Sequence, residues 1–175
     1  MVIETEGRRR AGLVSVYAEK DGLVFLEAPL GPVKLTARAD RLEYNQDHSW
    51  TIVDYKTGAA PTAKLIGMGA RNQLAVEGLI AFEGGFDNLS AGPIAALEYW
   101  QLSGKKSAPG EIKAPFKDLF DAVKIRHSLE ALAAHFDQPE TPYASEPNPN
   151  IVPPFKPYQH LSRSREWLHG ETADE

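Results

Sequence analysis

Apolar and polar residues alternate from Leu13 to Glu19, and a second apolar run, Leu23 to Leu26, follows the polar Lys20-Asp21-Gly22. A period of two sends successive side chains to opposite faces, so both runs predict strands, joined by a turn over residues 20–22. Val33 to Glu43 alternates again, Tyr44 to Ser49 reads as a polar turn, and Trp50 to Lys56 predicts a strand stopped by Thr57, Gly58 and Pro61. At Asn72 the period changes. Leu74, Ala75, Leu79 and Phe82 recur at helical spacing, and Gly84-Gly85 ends the run. Residues 93–102 predict a further strand closed by Ser103-Gly104, and Leu119, Val123, Leu129, Leu132 and Phe136 form a helical stripe over 116–136. Residues 138–157, rich in Pro and Asn, predict an extended wrap, with a short helix expected over 162–168. Strands with antiparallel neighbours, then a helical crossover to another strand, imply an α/β fold: a mixed sheet with helices on its faces.

Composition narrows the class. At 175 residues, 42% hydrophobic and 25% charged, the chain has enough material for one core and is short for two. A single domain over 1–175 is expected, with 138–175 as a C-terminal wrap. No apolar run approaches the ~18–20 residues that span a bilayer, and the first residues do not read as a signal peptide. No membrane association and a cytoplasmic location are therefore expected. The absence of cysteine excludes disulfides, thiolate zinc sites and a cysteine-held iron–sulfur cluster. The net charge of −5 argues against tight nucleic-acid binding by this chain alone, while allowing a cleft that meets phosphates through metal ions. The Arg8-Arg9-Arg10 cluster reads as a solvated end.

Chemistry concentrates in Ile52-Val-Asp-Tyr-Lys-Thr-Gly58. Asp54 and Lys56 stand two apart on a predicted strand, so they leave one face near the strand's end. Asp40 ends the preceding strand, and neighbouring strands lie ~4.8 Å apart, close enough for two carboxylates to reach one cation. Magnesium is usually held by one or two carboxylates, with water and substrate phosphate completing its shell. A lysine beside it can orient water or offset transition-state charge. Two carboxylates this close repel, so at least one is expected to have a raised pKa. An isolated Asp-x-Lys is more often a surface ion pair; the following Gly58 and the Asp on the adjoining strand set this one apart.

Thr36-Ala-Arg-Ala-Asp-Arg-Leu42, Ile52-Val-Asp-Tyr-Lys-Thr-Gly58 and Gln73-Leu74 opening a helix resemble the RecB-type branch of the PD-(D/E)XK nuclease superfamily. Within it the closer likeness is to the C-terminal nuclease domain of AddB proteins in a cysteine-free form, with further matches at Gly84-Gly-Phe86, Leu97-Glu-Tyr99 and Tyr158-Gln-His-Leu161. The resemblance implies a restriction-endonuclease-like central mixed sheet. It implies metal ligation by Asp40, Asp54 and the backbone carbonyl of Tyr55, a catalytic Lys56, and a contribution from Gln73. It implies Mg2+, which Mn2+ may replace, action on DNA ends in double-strand break repair, and an AddA-like helicase–nuclease subunit as partner. It also implies a histidine on a helix ahead of the sheet. No histidine precedes His48, so either the chain is a fragment missing that helix or the site has one ligand fewer. His127 and His135 read as surface or packing residues, and Arg38 and Arg41 as solvated flanks of Asp40. The alternative to a nuclease is an inactive module of the same fold, serving DNA binding or assembly. A glycosidase-like carboxylate pair ranks lower, since Trp50, Tyr55 and Trp100 are explained by packing.

Overall fold

The computed structural model describes residues 2–69, 71–105, 108–116 and 119–143. The elements in chain order are α1 (Val2–Arg9), a 3-10 turn (Arg10–Gly12), β1 (Leu13–Leu26), β2 (Val33–Asn45), β3 (Trp50–Lys56), α2 (Ala63–Gly67), α3 (Gln73–Phe82), β4 (Ile94–Lys105), β5 (Ala108–Lys113) and α4 (Ala122–Phe136). The five strands form one sheet in the order β1-β2-β3-β4-β5. The pairs β1–β2, β2–β3 and β4–β5 are antiparallel, and β3–β4 is parallel. The crossover through α3 is what permits the parallel pair, because parallel neighbours cannot be joined by a tight turn. This is the α/β mixed sheet flanked by helices expected of a restriction-endonuclease-like fold. Among the described residues no helix is long and apolar enough to cross a membrane.

The turn expected at 20–22 is absent, and β1 runs unbroken against β2. Glu19 takes a left-handed backbone (φ 53°), a conformation that non-glycine residues rarely adopt. At that residue the inward-facing set changes from Leu13, Ser15 and Tyr17 to Gly22, Val24 and Leu26. The same change occurs opposite, from Leu35, Ala37 and Ala39 to Leu42 and Tyr44. Glu19 and Asp40 stand between the pairs Ala18–Arg41 and Lys20–Ala39, so the hairpin is creased at those two residues.

The core lies between the sheet and α3. Leu74 and Ile80 pack with Leu42, Ile52, Leu97 and Tyr99, all buried. Burying such side chains contributes roughly 1.5–3 kcal/mol each, which fixes α3 over the centre of the sheet. Gly84, at φ 73°, ends α3 as its sequence position predicts: the Gly84 N–H donates to Ala81 and the Gly85 N–H to Ile80. The chain then crosses the outer edge of β1, where the Leu23 N–H donates to Gly85 at 2.9 Å and the Asp87 N–H to Asp21 at 3.1 Å. The helix expected from 116 begins only at Ala122. Asp121 caps it by accepting from the Lys124 N–H at 3.1 Å, and an N-cap residue is by definition outside the helix.

The other face of the sheet carries polar residues. Glu43, fully buried, is paired with Arg9 of α1 at 2.6 Å and with Arg41 at 2.6 Å. Arg9 also reaches Glu98 at 2.5 Å, and Arg41 is paired with Glu6. Both guanidinium groups lie over the Trp100 ring, 5.6 and 5.4 Å from its centroid. Arg9 is therefore part of a half-buried ion network and not a solvated end, and Arg41 is likewise drawn in. Arg38 does stand in solvent, paired with Glu19 at 2.9 Å.

The chain divides into two compact units, Met1–Asp137 and Gln138–Glu175. In the second, Gln138 accepts from the Thr141 N–H at 3.0 Å. The extended wrap beyond Tyr143 and the helix expected over 162–168 lie outside the described residues.

Candidate active site

β3 carries the first two groups. Its residues Trp50 to Asp54 are buried and Tyr55 and Lys56 half-buried, so the strand leaves the core at its C-terminal end. Parallel pairing sets Asp54 beside Tyr99 and Lys56 beside Gln101. The Asp54 carboxylate is 2% exposed. The Lys56 ammonium lies 3.0 Å from its Oδ1, to which it donates, and 2.8 Å from its Oδ2. Oδ2 is buried and is engaged by the ion pair with Lys56 rather than by a hydrogen bond. The ammonium also sits 5.8 Å from the centroid of the Tyr99 ring.

Asp40 is supplied by the crease in β2. Main-chain pairing between β2 and β3 is recorded from Tyr44–Trp50 to Arg41–Val53. One residue further on, the Asp40 side chain takes over, and its Oδ2 accepts from the Tyr55 N–H at 3.0 Å. An amide N–H at a parting pair of strands needs an acceptor, and here a carboxylate provides it. The Tyr55 hydroxyl, on the other side, accepts from Arg41 at 3.3 Å, which links this strand to the α1 ion network.

α3 supplies the third side of the site. Gln73, its first residue, accepts from Lys56 through Oε1 at 3.2 Å and donates through Nε2 to Glu77 Oε1 at 3.0 Å. Glu77 is 1% exposed, and its Oε2 is buried without a hydrogen bond. A continuous chain thus runs from Asp54 through Lys56 and Gln73 to Glu77.

Burial raises the Asp54 pKa above its ordinary value, Lys56 opposes the shift, and the charge of Asp40 adds to it. The rise expected from two neighbouring carboxylates is present, with desolvation the larger cause and repulsion the smaller. Burial pushes the Glu77 carboxyl up to about 8, with Gln73 opposing and the charges of Asp54 and Asp40 adding. Burial, followed by the charge of Asp54, takes the Tyr99 hydroxyl to about 12.

Asp40, Asp54, Lys56 and Gln73 are thus brought to one place. Glu77 joins them unforeseen. Its signal was available: a carboxylate four residues after Gln73, within the apolar stripe Leu74 to Ala81, is a charge on a helix face that otherwise turns inward. His127 and His135 are exposed on α4, the latter edge-on to Phe136 at 5.3 Å. Among the described residues, no three His, Cys, Asp or Glu side chains converge to hold a metal ion. The Asp40 and Asp54 carboxylates still suit a hard divalent ion, which needs only one or two of them. Asp54 Oδ2 is compensated by the Lys56 ammonium alone, a charge that a cation could replace.

A sheet of this topology, with an Asp-x-Lys leaving the end of its central strand and an aspartate on the strand beside it, defines a class. The chain matches the PD-(D/E)XK nuclease superfamily over residues 1–150, and it belongs to that superfamily. Its members are usually nucleases and typically use divalent metals such as Mg2+. Among individual proteins, the chain is 38% identical over 78 residues to an uncharacterized protein of Rickettsia conorii, covering 45% of this chain and 9% of that one. It is 38% identical over 95 residues to an uncharacterized protein of Rickettsia typhi, covering 54% and 11%. The chain spans only about a tenth of the length of these relatives. Among solved structures, the crystal structure of SSO0001 aligns with 86% of this chain and 68% of its own, at a TM-score of 0.42 and 12% identity.

Proposed function

We propose that this domain hydrolyses DNA phosphodiesters with the help of a divalent cation held by Asp40, Asp54 and the Tyr55 carbonyl. The observation that carries the reading is the buried Asp54–Lys56 pair at the open end of β3, with Asp40 seated on the next peptide of the same strand. A divalent cation, Mg2+ or Mn2+, supplies a charge that polarises a phosphoryl oxygen and acidifies water. The chain's own groups do the rest. Asp54, kept in a low-dielectric setting, offers a carboxylate whose charge is little screened. Lys56 neutralises Asp54 here; once that carboxylate is otherwise compensated, its ammonium is free to orient the attacking water or offset charge on the phosphate. Gln73 holds Lys56 from the far side, restricting where its donors point.

We further assign the domain to an AddB-like setting: an exonuclease acting on DNA ends during double-strand break repair, beside an AddA-like helicase–nuclease subunit. Residues 1–175 then serve as one nuclease domain. The sequence matches around Asp40, Asp54 and Gln73 support this, as does the small share of much longer relatives that the chain spans. The test is Mg2+- or Mn2+-dependent degradation of linear DNA. Lys56→Ala should lower kcat by roughly 100- to 1000-fold, the loss that follows removal of one preorganised charge-stabilising donor. Equal rates in parent and variant would rule this mechanism out.

A second reading keeps the fold without catalysis. It is favoured by the net charge of −5 and by the engagement of Lys56 with Asp54. Under that reading neither cation restores cleavage.

A further inference from the structure

One buried group of the site has no place in the mechanism above. Glu77 projects from the second turn of α3 into the core, where an unpaired carboxylate is costly to keep. Its Oε1 accepts the Gln73 amide N–H, and its Oε2 accepts nothing. A hydrocarbon side chain of similar length would fill the same volume without that cost. What the accepting Oε1 provides is direction. A glutamine side chain can present either its oxygen or its nitrogen to a neighbour, and the two ends are nearly the same shape. With its NH2 donated to Glu77, Gln73 must turn its oxygen outward, and that oxygen meets the Lys56 ammonium at 3.2 Å. Reversed, it would set an NH2 group against a cation. Lys56 is half-exposed on a flexible stem, so the partners that fix it are Asp54 and Gln73.

We infer that Glu77 is a positioning residue for the proposed reaction: by fixing the amide orientation of Gln73, it holds the Lys56 ammonium in register with the Asp54 carboxylate. The inference rests on the nuclease reading for its consequence, and on geometry alone for the relay. Glu77 is not a metal ligand in this scheme, in keeping with the lack of convergence among Asp40, Asp54 and Glu77.

Two variants of the full chain test it. Glu77→Met removes the acceptor while filling the volume. Glu77→Gln keeps an acceptor oxygen at the same reach, facing the Gln73 amide as Oε1 does. The first readout needs no activity: nitrogen NMR of the Lys56 ammonium, whose signal and proton exchange report how it is held. Glu77→Met should shift that signal and speed its exchange, as should Gln73→Ala, and Glu77→Gln should restore the parent behaviour. The second readout is metal-dependent cleavage of linear DNA, where Glu77→Met should lower kcat by about 10- to 100-fold, the usual loss for a supporting residue, with KM unchanged. Thermal unfolding completes the set. A residue kept for packing would lower the melting temperature when replaced, whereas Glu77→Met should leave it unchanged or raise it. An unaltered Lys56 signal in Glu77→Met overturns the relay, whatever the activity of the parent. A parent that cleaves no DNA with either cation, but whose Lys56 signal still depends on Glu77, sinks the nuclease reading and leaves the relay standing.

Discussion

Asp54 and Glu77 are both carboxylates in an apolar setting, yet they are compensated differently. Asp54 has an ammonium at 2.8 Å. Glu77 has only a neutral amide, which explains why its pKa rises to about 8. The sign of the consequence follows from proton counting. Below the ordinary value of 4.5 both folded and unfolded chains hold the Glu77 proton, and the stability it permits is present in full. Between 4.5 and about 8 the unfolded chain has released it and the folded chain has not, so stability falls as pH rises. The slope from this one group is at most ~1.4 kcal/mol per pH unit. Glu77→Gln, which cannot ionise, should lack it. Melting curves of parent and variant in a chelator, taken across that window, are expected to diverge with increasing pH. Parallel curves would mean that Glu77 titrates as an ordinary carboxylate. Glu6 and Asp47 have lowered pKa values, chiefly through the Arg41 and Ser49 hydrogen bonds respectively, so their effect falls below the ordinary carboxylate range.

At the scale of elements, the chain between α3 and β4 does more than connect. By pairing with Leu23 and Asp21 it covers part of the outer edge of β1, which a sheet otherwise leaves open to other strands. The approach is tight. A Cβ on Gly85 would lie 2.2 Å from the Leu23 carbonyl oxygen, and one on Gly84 2.8 Å from the Ala91 nitrogen. Gly85→Ala should therefore cost about 1–3 kcal/mol, as overpacking does, and should increase self-association by freeing the edge. Urea unfolding and light scattering would check both effects, and an unchanged midpoint would count against the close crossing.

The same elements indicate what the sequence could reveal. Strand β2, both halves of β1 and the body of α3 were legible because each buries mainly one face and so carries a period. Strand β3, buried on both faces from Trp50 to Asp54, was legible as a short run bounded by turn residues. The crease was not, because Lys20-Asp21-Gly22 read as a turn between two strands, whereas the chain only changes its inward face at Glu19 and continues along β2. Nor was α1: Val2 to Arg9 offers little apolar periodicity, and its attachment depends on Glu43 and Glu98, 34 and 89 residues away from Arg9. The site was readable to the extent that its chemistry is local. Asp54 and Lys56 share one face of one strand, and Glu77 lies one helical turn after Gln73, whereas the meeting of Gln73 with Lys56 depends on how α3 packs on the sheet.

For the whole molecule, net charge decides more than any one contact. A domain at −5 repels a polyanion until cations intervene, so the proposed chemistry and the proposed affinity must have different sources. The isolated chain is expected to bind duplex ends weakly, with affinity depending on the divalent ion and showing a shallow dependence on monovalent salt. Fluorescence anisotropy with labelled DNA across a salt series would measure this. Tight binding with a steep salt slope would point to a basic surface that the net charge hides. If the slope is shallow, most of the hold on DNA in the proposed setting comes from surfaces beyond this domain.

Asp40, Asp54, Lys56, Gln73 and Glu77 all come from one continuous stretch of chain, carried on β2, β3 and α3. Bringing them together closes only short loops, and short loops are the least costly to close. The reactive corner of this protein should therefore be among the first regions to assemble as the polypeptide folds. The α1 network, whose partners Glu43 and Glu98 lie far along the chain, would then be added on the opposite face of the sheet after the site has formed.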